Sequence, residues 1–266
     1  MRNRRRRHPR LRVLDLNTHS GWSIRNGTLA ELIARTNPHV LLLQEITPGA
    51  KRALRRLLGD AWVIHGVQDS VVCVKRTARF TVVDRWSPDN TLGGEHERHA
   101  TGLVLHDAWT GRDYWLQSLH VQPLGLGLRR ASEGAVKRQT RQLLTYVWRS
   151  KTAPEGAVVI DGGDVNQRVD VAPLLRAGRD RLERTVEWLW RGALMYRADT
   201  LADRVAGEAR LDVFMVRPEP YVQVLRHVVI DTVRDLDDHP ALLLVVAIDP
   251  VKRERTLAEH RAEVAP

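Results

Sequence analysis

The sequence has little cysteine and no long apolar run. Cys73 is the one cysteine among 266 residues, which excludes an internal disulfide framework and a zinc site built from several thiolates. It lies in the segment SVVCVK, which predicts a strand, so we expect a buried structural thiol rather than a nucleophile. No run of eighteen apolar residues is present, and no apolar stretch follows the N-terminal arginines. These absences predict a cytoplasmic protein without a membrane partner.

Acidic residues are fewer than basic ones, 32 against 42, which gives a formal net charge of +10. Much of this excess comes from arginines near the start of the chain: Arg2, Arg4, Arg5, Arg6, Arg7, Arg10 and Arg12. Because such a segment has little to bury, residues 1–10 are expected to form a disordered tail. The tail could attract nucleic acid nonspecifically or only keep the chain soluble. Charge therefore favours a polyanionic partner without deciding on one.

Apolar patterning predicts strands that alternate with helices over residues 11–250, with no repeats or linkers between them. The predicted strands are RVLDL, HVLLLQEI, AWVIHGV, SVVCVK, FTVVDR, TGLVLHD, DYWLQSLHV, GAVVIDGGD, RLDVFMV, YVQVLRHVVI and PALLLVVAI. The paired glycines of GAVVIDGGD are expected to turn the chain at the end of that strand. Many strands with helices at intervals indicate sheets covered by helices in one α/β domain. Residues 251–266 are expected to form a polar, partly helical tail.

Three segments have apolar residues near helical spacing. The first is TLAELIARTNP, which we expect to end at Pro38. The second is PGAKRALRRLLGD, in which Ala53, Leu54, Leu57 and Leu58 are expected to share the buried side. The third, SEGAVKRQTRQLLTYVWRS, is the longest helix that the sequence predicts.

Polar side chains follow or open several strands, at positions that a buried strand does not otherwise need. They are Asn17, Gln44, Glu45, His120, Asp164, Asn166, Asp212, Asp238 and His239. A single acid at a strand end is usually a cap or turn former, and a single histidine beside an apolar run is usually a core residue. Their recurrence in order along one chain favours a functional site instead.

The chemistry of this set fits the hydrolysis of phosphate esters. Carboxylate and amide oxygens are the ligands that a hard cation such as Mg²⁺ prefers, and Asn17, Glu45, Asp164 and Asp238 can supply them. A histidine held by a carboxylate can deprotonate water near neutral pH. No serine or cysteine nucleophile with a partner base is evident in the sequence.

The ordered motifs LDLNTH, LLLQEI, LQSLHVQP, IDGGDVNQ, ARLDVFMV and DLDDHPALLLVV resemble the endonuclease/exonuclease/phosphatase superfamily, in its deoxyribonuclease and sphingomyelinase-like branch. The resemblance runs from about residue 11 to residue 248. It implies an α/β fold, a four-layered α/β/β/α sandwich of two mixed β-sheets flanked by helices. It also implies a monomer with no obligate protein partner and a Mg²⁺ cofactor, with Mn²⁺ as a possible substitute.

The resemblance implies a role for each polar residue by its position in these motifs. Asn17, Glu45 and Asp238 would hold the metal, and His120 would contact the scissile phosphate. Asp164 would orient or activate the attacking water, Asn166 would position water or phosphate, and Asp212 would pair with His239, the general base. Arg98 would face a phosphate, although the segment EHERH could equally be a solvated loop. Leu119 and Val165 depart from the usual threonine and phenylalanine of the family, which should change packing and leave the chemistry intact.

The fold alone does not select the substrate, because one fold hosts many activities. A basic, compact chain favours a nuclease that acts on DNA or RNA. The first alternative is a phosphatase or phosphodiesterase with a smaller substrate, such as a nucleotide, an inositol phosphate or a lipid head group. The second is a non-catalytic nucleic-acid-binding module, which would not need a general base.

Overall fold

The computed structural model describes residues 9–66, 69–87, 99–121, 134, 139, 141–142, 145–146, 148–168, 194–197, 209–217, 219–230 and 239–248. The expected N-terminal tail before residue 9 and the expected C-terminal tail from residue 251 lie outside these ranges. Both stay predictions, as does the boundary of the single domain at residue 250. No helix in the described part of the chain is long and apolar enough to cross a membrane.

The first sheet has six strands in the order β11-β12-β1-β2-β4-β3. Their bounds are Arg10–Asn17 (β1), Val40–Gln44 (β2), Trp62–His65 (β3), Ser70–Lys75 (β4), Val222–Ile230 (β11) and Ala241–Ile248 (β12). β1 and β2 are parallel, and the other neighbours are antiparallel. The carboxyl ends of β1 and β2 therefore meet at one edge of this sheet.

The second sheet has six strands in the order β5-β6-β7-β8-β10-β9. Their bounds are Phe80–Trp86 (β5), Ala100–Asp107 (β6), Arg112–His120 (β7), Val158–Arg168 (β8), Leu194–Arg197 (β9) and Ala209–Val216 (β10). β7 and β8 are parallel, and the remaining pairs are antiparallel. The short strand β9 was not predicted from the sequence.

Three apolar layers separate the sheets and the helices. The central layer joins the inner faces of the two sheets, where Val13 and Leu42 pack with Leu116 and Ile160. A second layer packs the outer face of the first sheet against the helices, and a third covers the outer face of the second sheet, where Tyr146 contributes. This confirms the sandwich of two mixed sheets. Leu119 and Val165 lie in the third layer, in agreement with a packing role.

Three helices are described in full: Trp22–Arg25 (α1), Thr28–Thr36 (α2) and Pro48–Leu58 (α3). α2 ends at Thr36 and is capped by the left-handed backbone of Asn37, just before Pro38. α3 begins after Thr47, whose side chain accepts a hydrogen bond from the Ala50 amide, and Pro48 occupies its first turn.

The predicted buried side of α3 was wrong at Leu57, which is 39% exposed. Ala50, Leu54 and Leu58 are buried, and Ala53 is partly buried against the same apolar layer. Residues at spacings of four share a helix face, as the three buried residues do. Of the third predicted helix, residues 134, 139, 141–142, 145–146 and 148–149 are described, and all are helical.

Gly162 and Gly163 do not end their strand as predicted, because β8 continues through them to Arg168. A Cβ atom on Gly162 would lie 2.8 Å from side-chain atoms of Leu42 and Phe214, and one on Gly163 would lie 2.1 Å from the Leu119 carbonyl oxygen. Gly163 also has a φ of +140°, which L side chains rarely adopt. The glycines therefore allow close packing of β8 against its neighbours, and this packing places Asp164 in register with His120.

Candidate active site

The polar residues predicted from the strand ends come together at one edge of the sandwich. Asn17 ends β1, Glu45 follows β2, and His120 ends β7. Asp164 lies on β8 opposite both His120 and Asp212, which is on β10. Because the parallel strands of each sheet end at the same edge, side chains distant in sequence lie in contact there.

Asp164 is at the centre of this cluster and is 1% exposed. Its Oδ2 atom accepts a hydrogen bond from Asn17 Nδ2 at 3.0 Å and lies 3.5 Å from His120 Nε2 and 3.9 Å from His239 Nε2. Its Oδ1 atom accepts from the Asn166 amide at 2.7 Å. Burial raises the pKa of Asp164 to about 6, against the opposing effect of His239 and His120.

Asp212 and His239 form a buried pair beside Asp164. His239 Nδ1 lies 2.9 Å from Asp212 Oδ2, which is hydrogen-bonding distance. With the carboxylate ionised, Nδ1 carries the proton and the lone pair of Nε2 faces Asp164. The ring of His19 stands edge-on to that of His239, with ring centres 5.2 Å apart. The structure therefore brings Asp212 and His239 into the contact that was expected from the sequence.

His120 is held by Asp69, a residue that the sequence reasoning missed. His120 Nδ1 lies 2.8 Å from Asp69 Oδ2, and His99 Nδ1 lies 3.2 Å from the other oxygen of the same carboxylate. The His99 amide also donates to Asp69 Oδ1 at 3.1 Å. Burial acts to raise the pKa of Asp69, but hydrogen bonds with His120 and His99 outweigh it and hold that pKa well below its ordinary value. Asp69 therefore stays ionised between two imidazoles.

Glu45 occupies the rim of the cluster with a left-handed backbone, φ +57°. Its Oε2 atom accepts from the Ser20 amide at 2.9 Å, and its Oε1 atom lies 3.4 Å from Asn17 Nδ2. The Asn17 amide oxygen accepts from the His19 backbone at 3.0 Å, which fixes the orientation of the side chain. Non-glycine residues seldom adopt the left-handed conformation, and it persists where the surrounding structure holds the backbone in place.

Asn166 also has a left-handed backbone, with φ +50°. Its side-chain nitrogen donates to the Val121 carbonyl at 2.7 Å, and its own carbonyl accepts from Gln139 Nε2 at 2.9 Å. These bonds tie the end of β7 and the helical residue 139 to the strand that carries Asp164. Since the backbone N–H of Asn166 donates to Asp164, Asn166 contacts the residue at the centre of the cluster.

A buried polar layer lies beneath the cluster. Gln44 Nε2 donates to Asp15 Oδ1 at 2.9 Å and to Ser118 Oγ at 3.0 Å, which links the two sheets. Burial raises the pKa of Asp15 well above its ordinary value, and the nearby Asp212 adds to the effect. Burial therefore favours the protonated form of Asp15, which limits the repulsion among these carboxyls.

The donor set fits a hard divalent cation. Glu45 and Asn17 present carboxylate and amide groups at the rim, and Asn17 contacts both Glu45 and Asp164. One ligand atom from each of Asp164, Asp212 and His239 also lies within 4.8 Å of the others, a grouping that could hold a metal ion. Oxygen atoms dominate both groups, which suits Mg²⁺ or Mn²⁺ better than a thiophilic metal.

Two predicted site residues lie outside the described residues. Asp238 directly precedes His239, and Arg98 directly precedes His99, but neither is described. Their predicted roles, in the metal site and toward a phosphate, remain predictions. Cys73 is fully buried, and burial raises the pKa of its thiol well above the ordinary value, which argues against a nucleophilic role.

Comparison with known proteins agrees with the fold. The sequence model of the Endonuclease/Exonuclease/phosphatase family matches residues 15–234. No curated protein matches the sequence. D. rerio TDP2 complexed with a single-strand DNA product is 17% identical, with a TM-score of 0.66 over 89% of this chain and 98% of that chain.

Two further solved structures show the same fold. The human Nocturnin catalytic domain is 15% identical, with a TM-score of 0.63 over 91% of this chain and 96% of that one. The Bacteroides thetaiotaomicron mannosyl-6-phosphatase is 15% identical, with a TM-score of 0.62 over 90% of this chain and 100% of that one. At such identities the likeness shows the fold and leaves the substrate open.

Proposed function

Because this chain belongs to the endonuclease/exonuclease/phosphatase family, whose fold is that of phosphoester hydrolases, we propose that it is a divalent-metal-dependent phosphodiesterase that acts on nucleic acid. The observation that carries the proposal is the buried row of Asp212, His239 and Asp164. His239 is oriented by Asp212 at 2.9 Å and directs its other ring nitrogen toward Asp164 at 3.9 Å. A site limited to binding does not need an oriented base of this kind.

The proposed reaction begins with a water molecule held between His239 Nε2 and Asp164 Oδ2. His239 accepts a proton from this water as the water oxygen attacks phosphorus, and Asp212 stabilises the imidazolium that forms. The P–O bond to the ester oxygen breaks, and this leaving oxygen takes a proton from water, which completes the hydrolysis. Asp164 orients the water through the oxygen that also accepts from Asn17. The pKa of about 6 leaves this carboxyl mostly ionised at neutral pH.

His120 is the proposed contact for the phosphate. Asp69 occupies its Nδ1 side at 2.8 Å, so its Nε2 points to the same space as that of His239. In its imidazolium form, which the Asp69 carboxylate favours, His120 would donate through Nε2 to a phosphate oxygen and stabilise the charge that develops there. Asn166 holds the backbone around Asp164 and presents its amide group beside it.

Glu45 and Asn17 are the proposed metal ligands, together with Asp238 as the sequence predicts. A bound Mg²⁺ or Mn²⁺ would neutralise phosphate oxygens and polarise the phosphorus centre. Metal binding is then separate from the work of the histidines, because Glu45 lies at the rim while His120 and His239 flank Asp164.

Nucleic acid is the proposed substrate because the chain carries a formal net charge of +10 and because TDP2, which shares the fold, was solved with a single-strand DNA product. Because a mannosyl-6-phosphatase has the same fold, a smaller phosphoester is the second candidate substrate. We propose that the enzyme acts as a monomer in the cytoplasm.

A substrate panel tests the proposal. Hydrolysis of plasmid DNA, single-stranded DNA, RNA and bis-p-nitrophenyl phosphate is measured with Mg²⁺ and with Mn²⁺. His239→Ala and Glu45→Ala proteins are compared with His106→Ala, which alters a half-buried histidine in a similar contact with Asp113. We expect metal-dependent cleavage of a nucleic acid that is lost in the first two variants and kept in the third.

Other outcomes bear on the proposal in different ways. Cleavage of the small ester alone would retain the site and move the substrate to the second candidate. Absence of metal-dependent turnover on every substrate, with folded protein, would overturn the enzyme assignment and favour a binding module.

A further inference from the structure

A groove runs along the outer face of the first sheet, and its arginines lie toward the start of β1, opposite the candidate active site. It has a volume of about 780 Å³ and runs over β1, β12 and β11 beside the end of α2. Arg10 begins β1 and Asn17 ends it at the site, so these two residues lie about 23 Å apart at the usual rise of a strand. The other end of the groove reaches Ile230, which pairs with Ala241, but none of its described lining residues belongs to the cluster around Asp164.

Arginines form the walls of this groove. Arg10, Arg12, Arg35 and Arg226 line it, and no acidic side chain is found among its described lining residues. The strand register explains part of the arrangement, because Arg12 and Arg226 flank Val245 from the two neighbouring strands. Their Cα atoms are therefore about two strand spacings, roughly 10 Å, apart.

The positive charge of the groove is poorly balanced by the protein. Burial lowers the pKa of Arg12, and the charges of Arg79 and Arg10 lower it further. Burial also lowers the pKa of His39 to about 4, with further lowering by Arg12, Arg79 and Lys75. Arg35 lies 4.0 Å from Glu31 in an exposed pair, a type of contact that contributes little. An anion in the groove would relieve this repulsion.

The arginine-rich start of the chain is joined to the same place. Arg2 and Arg4–Arg7 precede Arg10 by a few residues, and Arg10 lines the groove. The segment therefore supplies five further arginines within eight positions of Arg10 in the sequence. Such a density of arginine favours a polyanionic partner.

We propose that this groove is a second binding site for a nucleic-acid strand, with its arginines distant from the catalytic centre. The inference rests on the proposed function, since it assigns the substrate to the polymeric class. Arginines bind phosphate oxygens in bidentate geometry, and the apolar floor around Leu225 and Val228 offers surface to sugars. A strand held about 23 Å from the site adds affinity for long substrates and none for a small ester.

Binding is tested in proteins that also carry His239→Ala, without divalent metal, so that the probe is not cleaved. The groove variant combines Arg10→Gln, Arg35→Gln and Arg226→Gln. Arg12 is kept because its Nε atom donates to the Asn37 carbonyl at 2.7 Å. The control variant combines Arg52→Gln, Arg55→Gln and Arg56→Gln, three exposed residues of α3 that remove the same charge. The probe is a fluorescein-labelled single-stranded DNA, titrated between about 50 and 200 mM salt.

We expect the groove variant to raise Kd about tenfold or more at the lower salt concentration and to reduce the salt slope by about 1 for each lost phosphate contact. The control variant should change Kd less than twofold, by a rough estimate for charges outside the contact. In proteins with His239 intact, both variants should hydrolyse bis-p-nitrophenyl phosphate at the unaltered rate.

The remaining outcomes separate this inference from the proposed function. Equal weakening by both variants, or none by either, would overturn the groove as a binding site. Binding to vesicles of anionic lipid without binding to DNA would also overturn it. Strong, groove-dependent DNA binding without turnover of any ester would support the groove and contradict the phosphodiesterase. Turnover of the small ester without DNA binding would contradict the groove and support the phosphodiesterase.

Discussion

Asn17 donates a hydrogen bond to Asp164 at 3.0 Å across 147 positions of sequence. The first residue ends a strand of one sheet, and the second lies on a strand of the other. The bond therefore joins the two sheets at the edge of the sandwich where the proposed chemistry takes place. It also satisfies a carboxylate that is almost fully buried, and leaving such a group without a donor is costly.

Asn17→Ala should lower both stability and activity. Loss of the donor leaves a buried carboxylate short of one hydrogen bond, which costs about 1–3 kcal/mol in the free energy of unfolding. Asn17→Asp places a further carboxylate beside Asp164 and should be the less stable of the two in the absence of metal. Urea denaturation with and without Mg²⁺ checks this, because an added oxygen ligand should make Asn17→Asp recover more on metal addition. Equal stability of both variants under all conditions would contradict the assignment of Asn17 to the metal site.

Asp212→Asn should reduce kcat by about 10²–10⁴-fold, because His239 loses the acceptor that fixes its tautomer and stabilises its protonated form. The matched control is Asp113→Asn, which alters a carboxylate 2.8 Å from the half-buried His106. That variant should retain the parent kcat on the same diester. A comparable loss in both would point to a general effect on folding instead of the base.

Asp69→Asn should lower kcat by about tenfold or more while the fold remains intact, since a positioned group near the phosphate contributes about this much or more. The side chain of asparagine matches aspartate in size but can no longer accept from both His120 and His99 through a charged group. The NMR signal of the His120 Nδ1 proton provides a second readout. An unchanged signal together with unchanged kcat would remove Asp69 from the positioning role.

The clustering of polar side chains could be predicted because each follows a recognisable apolar strand. Asp69 gave no such signal: it precedes its strand, in the segment VQDSVV, and looks like an ordinary turn acid. Its role depends on β4 lying against β7, where Ser70 donates to the Ser118 carbonyl at 2.9 Å. Contacts between strands of different sheets are not encoded by the periodicity of either strand.

The glycine pair shows a different limit of sequence reasoning. Gly162–Gly163 has the composition of a turn, and local propensity predicts one. The strand continues because its neighbours leave no room for side chains at these positions. A Gly-Gly pair is therefore compatible with either a turn or a continuous strand, and tertiary packing decides between them.

The stability of the protein should fall between about pH 6.5 and pH 4 in part because of His39. Burial and neighbouring cations lower the pKa of His39 to about 4 in the folded state, below its ordinary value of about 6.5. The unfolded chain then binds more protons in this window, so the free energy of unfolding decreases as the pH falls. His39 Nδ1 accepts from the Arg12 amide at 3.0 Å, a bond that a proton on this atom would break. His39→Gln, which can accept the same bond, should show a shallower decrease in urea denaturation across this range; an identical slope would contradict the prediction.

Gly163→Ala should destabilise the protein and disturb the active site, whereas Gly27→Ala should only destabilise it. Both glycines have positive φ, +140° and +88°, so each substitution introduces backbone strain of about 1–2 kcal/mol. A Cβ atom on Gly27 would meet nothing within 4 Å, but one on Gly163 would lie 2.1 Å from the Leu119 carbonyl oxygen. Relief of that clash requires β8 to move away from β7, at an additional cost of about 1–3 kcal/mol. The same movement separates Asp164 from His120, so kcat should fall in Gly163→Ala and not in Gly27→Ala. Thermal denaturation and diester hydrolysis of the two variants, measured in parallel, would refute this account if they changed by the same amount.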